Sequence, residues 1–225
     1  MGKLDDYTKD GYWEVTSFPA VVDPHRMRLQ DMESLVSKSQ ARHRGWPFPF
    51  FKHDETLTMH TDHMQSITIA PNVLNFEGFR LYENGLFYWK GSMWENFSAD
   101  YKKGKLSYVN LNWKITEMLL FLKRLYEEIL DVEDVVNIRI QIVGCKGRVF
   151  HDDMEYCKGW YFGSTHCDED NIILEKSVNY STLKATWQEI ACEFIQKVCV
   201  LFKLHEIREE NIVDLQNRLL QMKMI

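Results

Sequence analysis

Apolar and polar residues alternate with period two in three places along the chain, and each predicts a strand with one wet face. Tyr12 to Phe18 (YWEVTSF) is the first, running into Pro19, and NIRIQIV at 137–143 sets Ile138, Ile140 and Ile142 against Arg139 and Gln141. Between them, SITIA, FEGFRLY and LFYW follow one another. Asn84-Gly85 joins the last two, and both residues tolerate positive φ, so the pattern predicts a hairpin closed by a two-residue type I′ turn. Shorter strands are expected at Trp160–Phe162 and Ile172–Leu174, with the acidic CDED segment before the second as a turn.

Helical spacing of apolar residues marks four further segments. Leu29, Met32, Leu35 and Val36 form one stripe, in a helix that Asp23 and Pro24 would initiate. A wide stripe from Leu111 to Ile129 predicts a helix of about five turns packed on the sheet. Leu183, Trp187, Ile190, Phe194, Val198 and Leu201 make a third that reads as buried on most sides, and Ile212, Leu215, Leu219 and Met222 a fourth. The polar segment KHDETLTMHTDH (52–63) reads as a mobile loop.

Strands in runs, with helices around and between them and no strict β-α-β alternation, predict an α+β fold: a mainly antiparallel sheet packed by amphipathic helices. A chain of 225 residues, 45% hydrophobic and 13% aromatic, without repeat or linker, fits one domain with a substantial core. The expected division is a polar tail at 1–10 and a single domain at 11–225, of which 11–52 forms an N-terminal arm.

RHRGWPFPFF at 42–51 fits none of these elements. Pro47 and Pro49 lack backbone donors and hold the residues before them extended, giving a stiff ribbon with its aromatics fixed in place. Trp46, Phe48, Phe50 and Phe51 are therefore the candidate interface for a protein partner or for self-association. Arg42 and Arg44 are the candidate nucleic-acid contacts, and FRLYENGLFYWKGSMWE also interleaves aromatics with cations as base stacking on an open sheet would need. A net charge of −6 places nucleic acid behind a protein partner and confines it to a local patch.

Candidates for chemistry are weaker. His60 and His63, with His53 nearby, lack a defined third ligand, and the looser set His151, Asp152, Asp153, Cys157, His166 and Cys167 cannot be aimed at one ion, so no metal site is assigned. Cys145, Lys146, Arg148 and His151 form the candidate anion or ligand site: glycines and cations surround a thiol in VGCKGR, without the spacing of a phosphate-binding loop. No catalytic set and no cofactor follow. Five cysteines without paired spacing read as reduced thiols, and no long apolar run suggests a membrane span, so a cytoplasmic protein is expected.

In the order of its landmarks the chain resembles the accessory domain of bacterial proteins that carry an upstream Schlafen-type, AlbA-like ATP-binding or DNA-binding domain. The landmarks are YWEVTSFP, RHRGWPFPFF, the E-x-F-R-x-Y-x-N-G-x-F hairpin, a helix led by Trp113, a strand ending GCKGRVF, and TWQEIACEF opening the last helices, over roughly residues 11 to 222. The resemblance implies an accessory sensing or interaction role in a regulatory or defence system and carries no catalytic residues with it. The AlbA-like domain itself is missing, which implies a standalone relative or a piece of a longer protein. The functional expectation is a non-catalytic interaction or sensing domain, with a nucleotide sensor or enzyme around Cys145–Arg148, or a nucleic-acid-binding accessory protein, as alternatives.

Overall fold

The fold is taken from a computed structural model that describes residues 7–70, 75–97, 104–151, 166–204 and 207–222. Its strands are β1 (Tyr12–Pro19), β2 (Leu57–Met59), β3 (His63–Ala70), β4 (Asn75–Tyr82), β5 (Phe87–Ser92), β6 (Lys105–Ser107), β7 (Val135–Val143), β8 (Val149–His151) and β9 (Asn171–Asn179). The helices are α1 (Leu29–Ser39), α2 (Tyr108–Glu127), α3 (Tyr180–Leu201) and α4 (Glu209–Gln221), with single turns at His53–Thr56 and Trp94–Asn96. Seven strands form one antiparallel sheet in the order β2-β3-β4-β5-β1-β7-β9, and β6 pairs with β8 in parallel beside it. The α+β architecture expected from the period-two strands is present.

Alternation decides which face each strand buries. Trp13 and Val15 of β1, Phe79 and Leu81 of β4, Phe87 and Trp89 of β5, and Ile138, Ile140 and Ile142 of β7 all point to one side and are almost fully buried. The helices cover that side. α2 starts where the Ser107 hydroxyl accepts from the Asn110 amide, an N-cap, and its stripe seats Phe121 against Phe87 with centroids 4.8 Å apart. β1 is an interior strand next to the sheet's centre, paired with β5 on one edge and β7 on the other. The expected arm at 11–52 is therefore corrected: its first third is an interior strand and its last third is packed, as described below.

Other expectations shift for local reasons. Asn84 keeps a negative φ and only Gly85 adopts a positive one, at 86°, so the hairpin closes through the three-residue loop Glu83-Asn84-Gly85 and not through a type I′ turn. The Gly85 amide donates to the Tyr82 carbonyl at 2.9 Å, and the Asn84 side chain accepts from the Leu86 amide at 3.0 Å. Helix α1 begins at Leu29, five residues after Pro24, because Asp23 caps a local turn through the His25 amide. Part of the expected mobile loop at 52–63 is strand β2, held to β3 by a tight turn in which the His60 amide donates to the His63 carbonyl. The strand expected at Trp160–Phe162 lies outside the described residues.

Trp113 is 9% exposed and its indole donates to the Leu215 carbonyl of α4 at 3.0 Å, whereas Trp187 is only half-buried at the margin of the core. Trp113→Ala is expected to lose about 3 to 5 kcal/mol of stability and Trp187→Ala less than half of that. Denaturant melts of the two variants beside the wild type check the order.

Candidate functional site

The aromatic ribbon is the first place to look, and it docks on its own domain. Ala41 and Phe48 exchange two backbone hydrogen bonds of 2.9 Å, closing residues 41–48 into a loop, and the Gln40 side chain donates to the Pro49 carbonyl at 2.7 Å. Phe48 and Phe51 are 1% and 6% exposed, Phe48 against Trp89 and Phe121, Phe51 edge-on to Phe79. They are core residues, which removes them from the candidate interface. Trp46 and Phe50 stay half-buried, stacked on each other at 3.8 Å.

Beneath the ribbon lies a group of charges that the sequence reading did not single out. Glu77 of β4 points inward and accepts from the Trp46 indole (2.9 Å), the Trp89 indole (2.8 Å) and the Phe50 amide (2.7 Å). Arg44 grips the fully buried Glu117 of α2 with two nitrogens and donates to Asn110 with a third, at 2.9 Å. Asn110 in turn donates to Glu95, which is 1% exposed and has its second carboxyl oxygen unpartnered among the described residues. Burial pushes the Glu95 carboxyl above the usual range, against the opposing pull of the Asn110 hydrogen bond. The Lys114 ammonium lies over Trp89 and Phe48, at 4.3 and 5.0 Å, where desolvation lowers its pKa while Glu77 works to raise it. Arg44 is thus committed to the fold. Arg42 is exposed and folds back on Gln40 and Ser37.

The turn at Cys145 is closed as well. Gly144 and Cys145 both donate their amides to the Asp170 carbonyl, Gly147 donates to Cys167 and Arg148 to Cys145, so the backbone donors an anion nest would offer are already used. Arg148 is 5% exposed, and its guanidinium donates to the carbonyls of Gly144, Lys105 and Asp10 and to the Asn96 side chain. Cys145 is fully buried and burial pushes its thiol up to about 12, the neighbouring Cys167 adding to the effect. This is the reverse of the depressed pKa a nucleophile needs. His151 sits 3.2 Å from the Lys105 ammonium, while Lys146 is exposed. The expected anion or ligand site is therefore corrected to a structural knot tying the N-terminal residues, β6 and β7 together.

His60 and His63 stack face to face at 4.4 Å, and His63 stacks on Tyr82 in turn, which aligns the rings in parallel and does not aim them at one ion. Among the described residues no group of three or more His, Cys, Asp or Glu could hold a metal. Asp152, Asp153 and Cys157 lie outside those residues.

The opposite face of the sheet is open. Register lines its side chains into rows that cross the strands: Gln65, Arg80, Tyr88, Thr16 and Arg139 in one, and Ile67, Gly78, Lys90, Glu14 and Gln141 in the next. Gly78 leaves a gap in its row. Phe76, 3% exposed although it projects to this face, leans into that gap, its ring edge 3.4 Å from where a Gly78 Cβ would stand. Around it opens a cleft of about 480 Å³, lined by Ile67, Phe76, Arg80, Tyr82, Tyr88 and Lys90 among others. That volume is in the range of small-molecule sites.

The walls of this cleft are fixed from outside it. The Tyr88 hydroxyl donates to Glu14 at 3.0 Å, and burial together with the Glu14 charge pushes its pKa up, keeping it a donor. The Arg80 Nε donates to Gln65 at 2.7 Å, and Lys90 lies 3.8 Å over the Tyr12 ring. Comparison with protein-family models, with curated proteins and with solved structures returns no match. Arg80, Tyr82, Tyr88 and Lys90 all fall in the stretch read as aromatics interleaved with cations, and period two was the signal that separates them from Phe79, Leu81, Phe87 and Trp89. For Glu77, Glu95, Lys114 and Glu117 no such signal exists, because their partners are remote in the chain.

Removing the Glu77 carboxylate strands two indole donors and one amide, so Glu77→Ala is expected to lose about 3 to 5 kcal/mol. Phe51→Ser should cost clearly more than Phe50→Ser in the same melts, since only Phe51 is buried. Glu95 gives a pH signature. Its folded pKa is raised, so the stability it contributes is full below the ordinary carboxylate range and declines as pH climbs from there toward the raised value. Thermal melts from about pH 4 to about pH 8 should show that decline in the wild type and its reduction in Glu95→Gln.

Proposed function

We propose that the chain is a non-catalytic binding domain, with an interaction or sensing role, that works through the open face of its sheet at the Gly78 cleft. The observation that carries this reading is the cleft itself: an unsubstituted strand position at its floor, with arginine, lysine and tyrosine side chains converging around it. A glycine inside a strand weakens the strand unless something needs close approach to its backbone. The four described thiols are all held up by burial, which takes the thiolate away from the alternative of an enzyme built around Cys145. Among the described residues no helix is long and apolar enough to cross a membrane. In the regulatory or defence setting that the resemblance implies, such a domain would serve as the sensing arm of a bacterial cytoplasmic protein.

A fragment library followed by backbone amide chemical shifts tests the reading. Perturbations are expected to concentrate at Ile67, Gly78, Arg80, Tyr88 and Lys90, and to disappear in Gly78→Val, whose side chain fills the gap. Shifts that concentrate instead at Trp46 and Phe50 would move the working surface to the ribbon.

A further inference from the structure

The chemistry of the cleft selects among possible occupants. Arg80 and Lys90 are diagonal neighbours on adjacent strands, about 7 to 8 Å apart by the spacing of such pairs, so one anionic group can meet both. Among the described residues neither makes an ion pair with a carboxylate: Arg80 uses only Nε, on Gln65, leaving its two terminal nitrogens to donate, and Lys90 has only the Tyr12 ring. On the same face Arg139 is paired to Glu175 at 2.8 Å, whereas the Glu14 carboxylate opposite Lys90 in the register accepts from the Tyr88 hydroxyl and makes no ion pair with Lys90. Beside them the floor at Gly78 is apolar: the ring edge of Phe76 leans over the glycine and Ile67 packs beside it.

Building on the binding reading above, we infer that the ligand is a free nucleoside phosphate, its base laid against the apolar patch that Phe76 and Ile67 form at Gly78 and its phosphate held by Arg80 and Lys90. Arginine supplies the paired donors that phosphate oxygens accept, and lysine a point charge. Tyr88, its hydroxyl donated to Glu14, is placed to stack or to accept. A nucleic-acid strand fits less well. It needs a cationic track that follows the backbone, and on this face Arg139, the cation of the neighbouring strand β7, is already neutralised by Glu175.

Calorimetric and amide-shift titrations of the full chain with AMP, GMP, CMP and UMP, with the four nucleosides, and with ribose 5-phosphate test this. At least one nucleotide is expected to shift Ile67, Gly78 and Lys90 and to bind at least about tenfold more tightly than its nucleoside or ribose 5-phosphate. Arg80→Gln with Lys90→Gln should remove that phosphate advantage without moving the melting temperature, and Gly78→Val should remove binding altogether. Binding that survives the double substitution overturns the assignment of the phosphate. If no nucleotide shifts these amides while fragments do, the nucleotide is wrong and the cleft reading stands; if nothing shifts them, both fail. An eight-nucleotide single strand binding more than about tenfold tighter than the best mononucleotide would make the ligand a strand and overturn the free nucleotide.

Discussion

The carboxylate of Glu77 holds the rest of the arrangement in place. It sits 3% exposed on the inner face of β4 with three neutral donors around it, two of them from the ribbon and one from β5. A buried carboxylate without such donors would cost several kcal/mol, and a proline-rich segment without such an acceptor would leave an indole and an amide unpaired. Each therefore makes the other tolerable. Once the ribbon is down, Phe48 and Phe51 fill the space between β5, β4 and α2, Arg44 reaches Glu117, and Lys114 is roofed by aromatic faces. The clasp accounts for the aromatics of this non-regular segment: Phe48 and Phe51 belong to the core, and Trp46 and Phe50, half-buried, stack on each other above Glu77.

Strand β4 carries both consequences at once. Its odd positions, Glu77, Phe79 and Leu81, face the helices, and its even positions, Gly78, Arg80 and Tyr82, face outward. Slipping the register by one residue would bring Arg80 into the core and turn Glu77 away from its three donors, so the clasp on the inside also fixes what is displayed on the outside. The cleft inherits its geometry from the ribbon through the thickness of a single strand.

What could be read from the chain follows the range of the interaction. Period two placed β1, β4 and β7 within a residue or two and β5 with its end three residues short, because alternation is a property of neighbours. The hairpin was found and its loop mistaken, since Asn-Gly also suits a type I turn followed by a left-handed glycine, and only the pairing of Tyr82 with Leu86 distinguishes the two. The ribbon was recognised as stiff, but which of its aromatics enter the core was not legible, because its anchor, Glu77, lies 31 residues from Trp46 and 27 from Phe50. The glycines and cations around Cys145 looked like an open nest, and what closes them is a carbonyl at Asp170 and an arginine that reaches back to Asp10. In each case the local pattern was right and the partner was out of sight.

Charge tells the same story from the energetic side. The half-buried Arg44 and Lys114 sit among Glu77, Glu95 and Glu117 with Asn110 as a neutral relay, and burial pushes the Glu95 carboxyl up and the Lys114 ammonium down, weakening the charged form of each. No comparable arrangement is needed on the open face, where water screens charge, and there Arg139 pairs with Glu175 while Arg80 and Lys90 do not pair. Both lean on neutral groups instead, an amide oxygen and a tyrosine ring, which hold them in position without cancelling their charge. Cations held that way keep their attraction for an anion that arrives from solution, and Gly78, paired across from Lys90 and two residues from Arg80, adds no side chain between them.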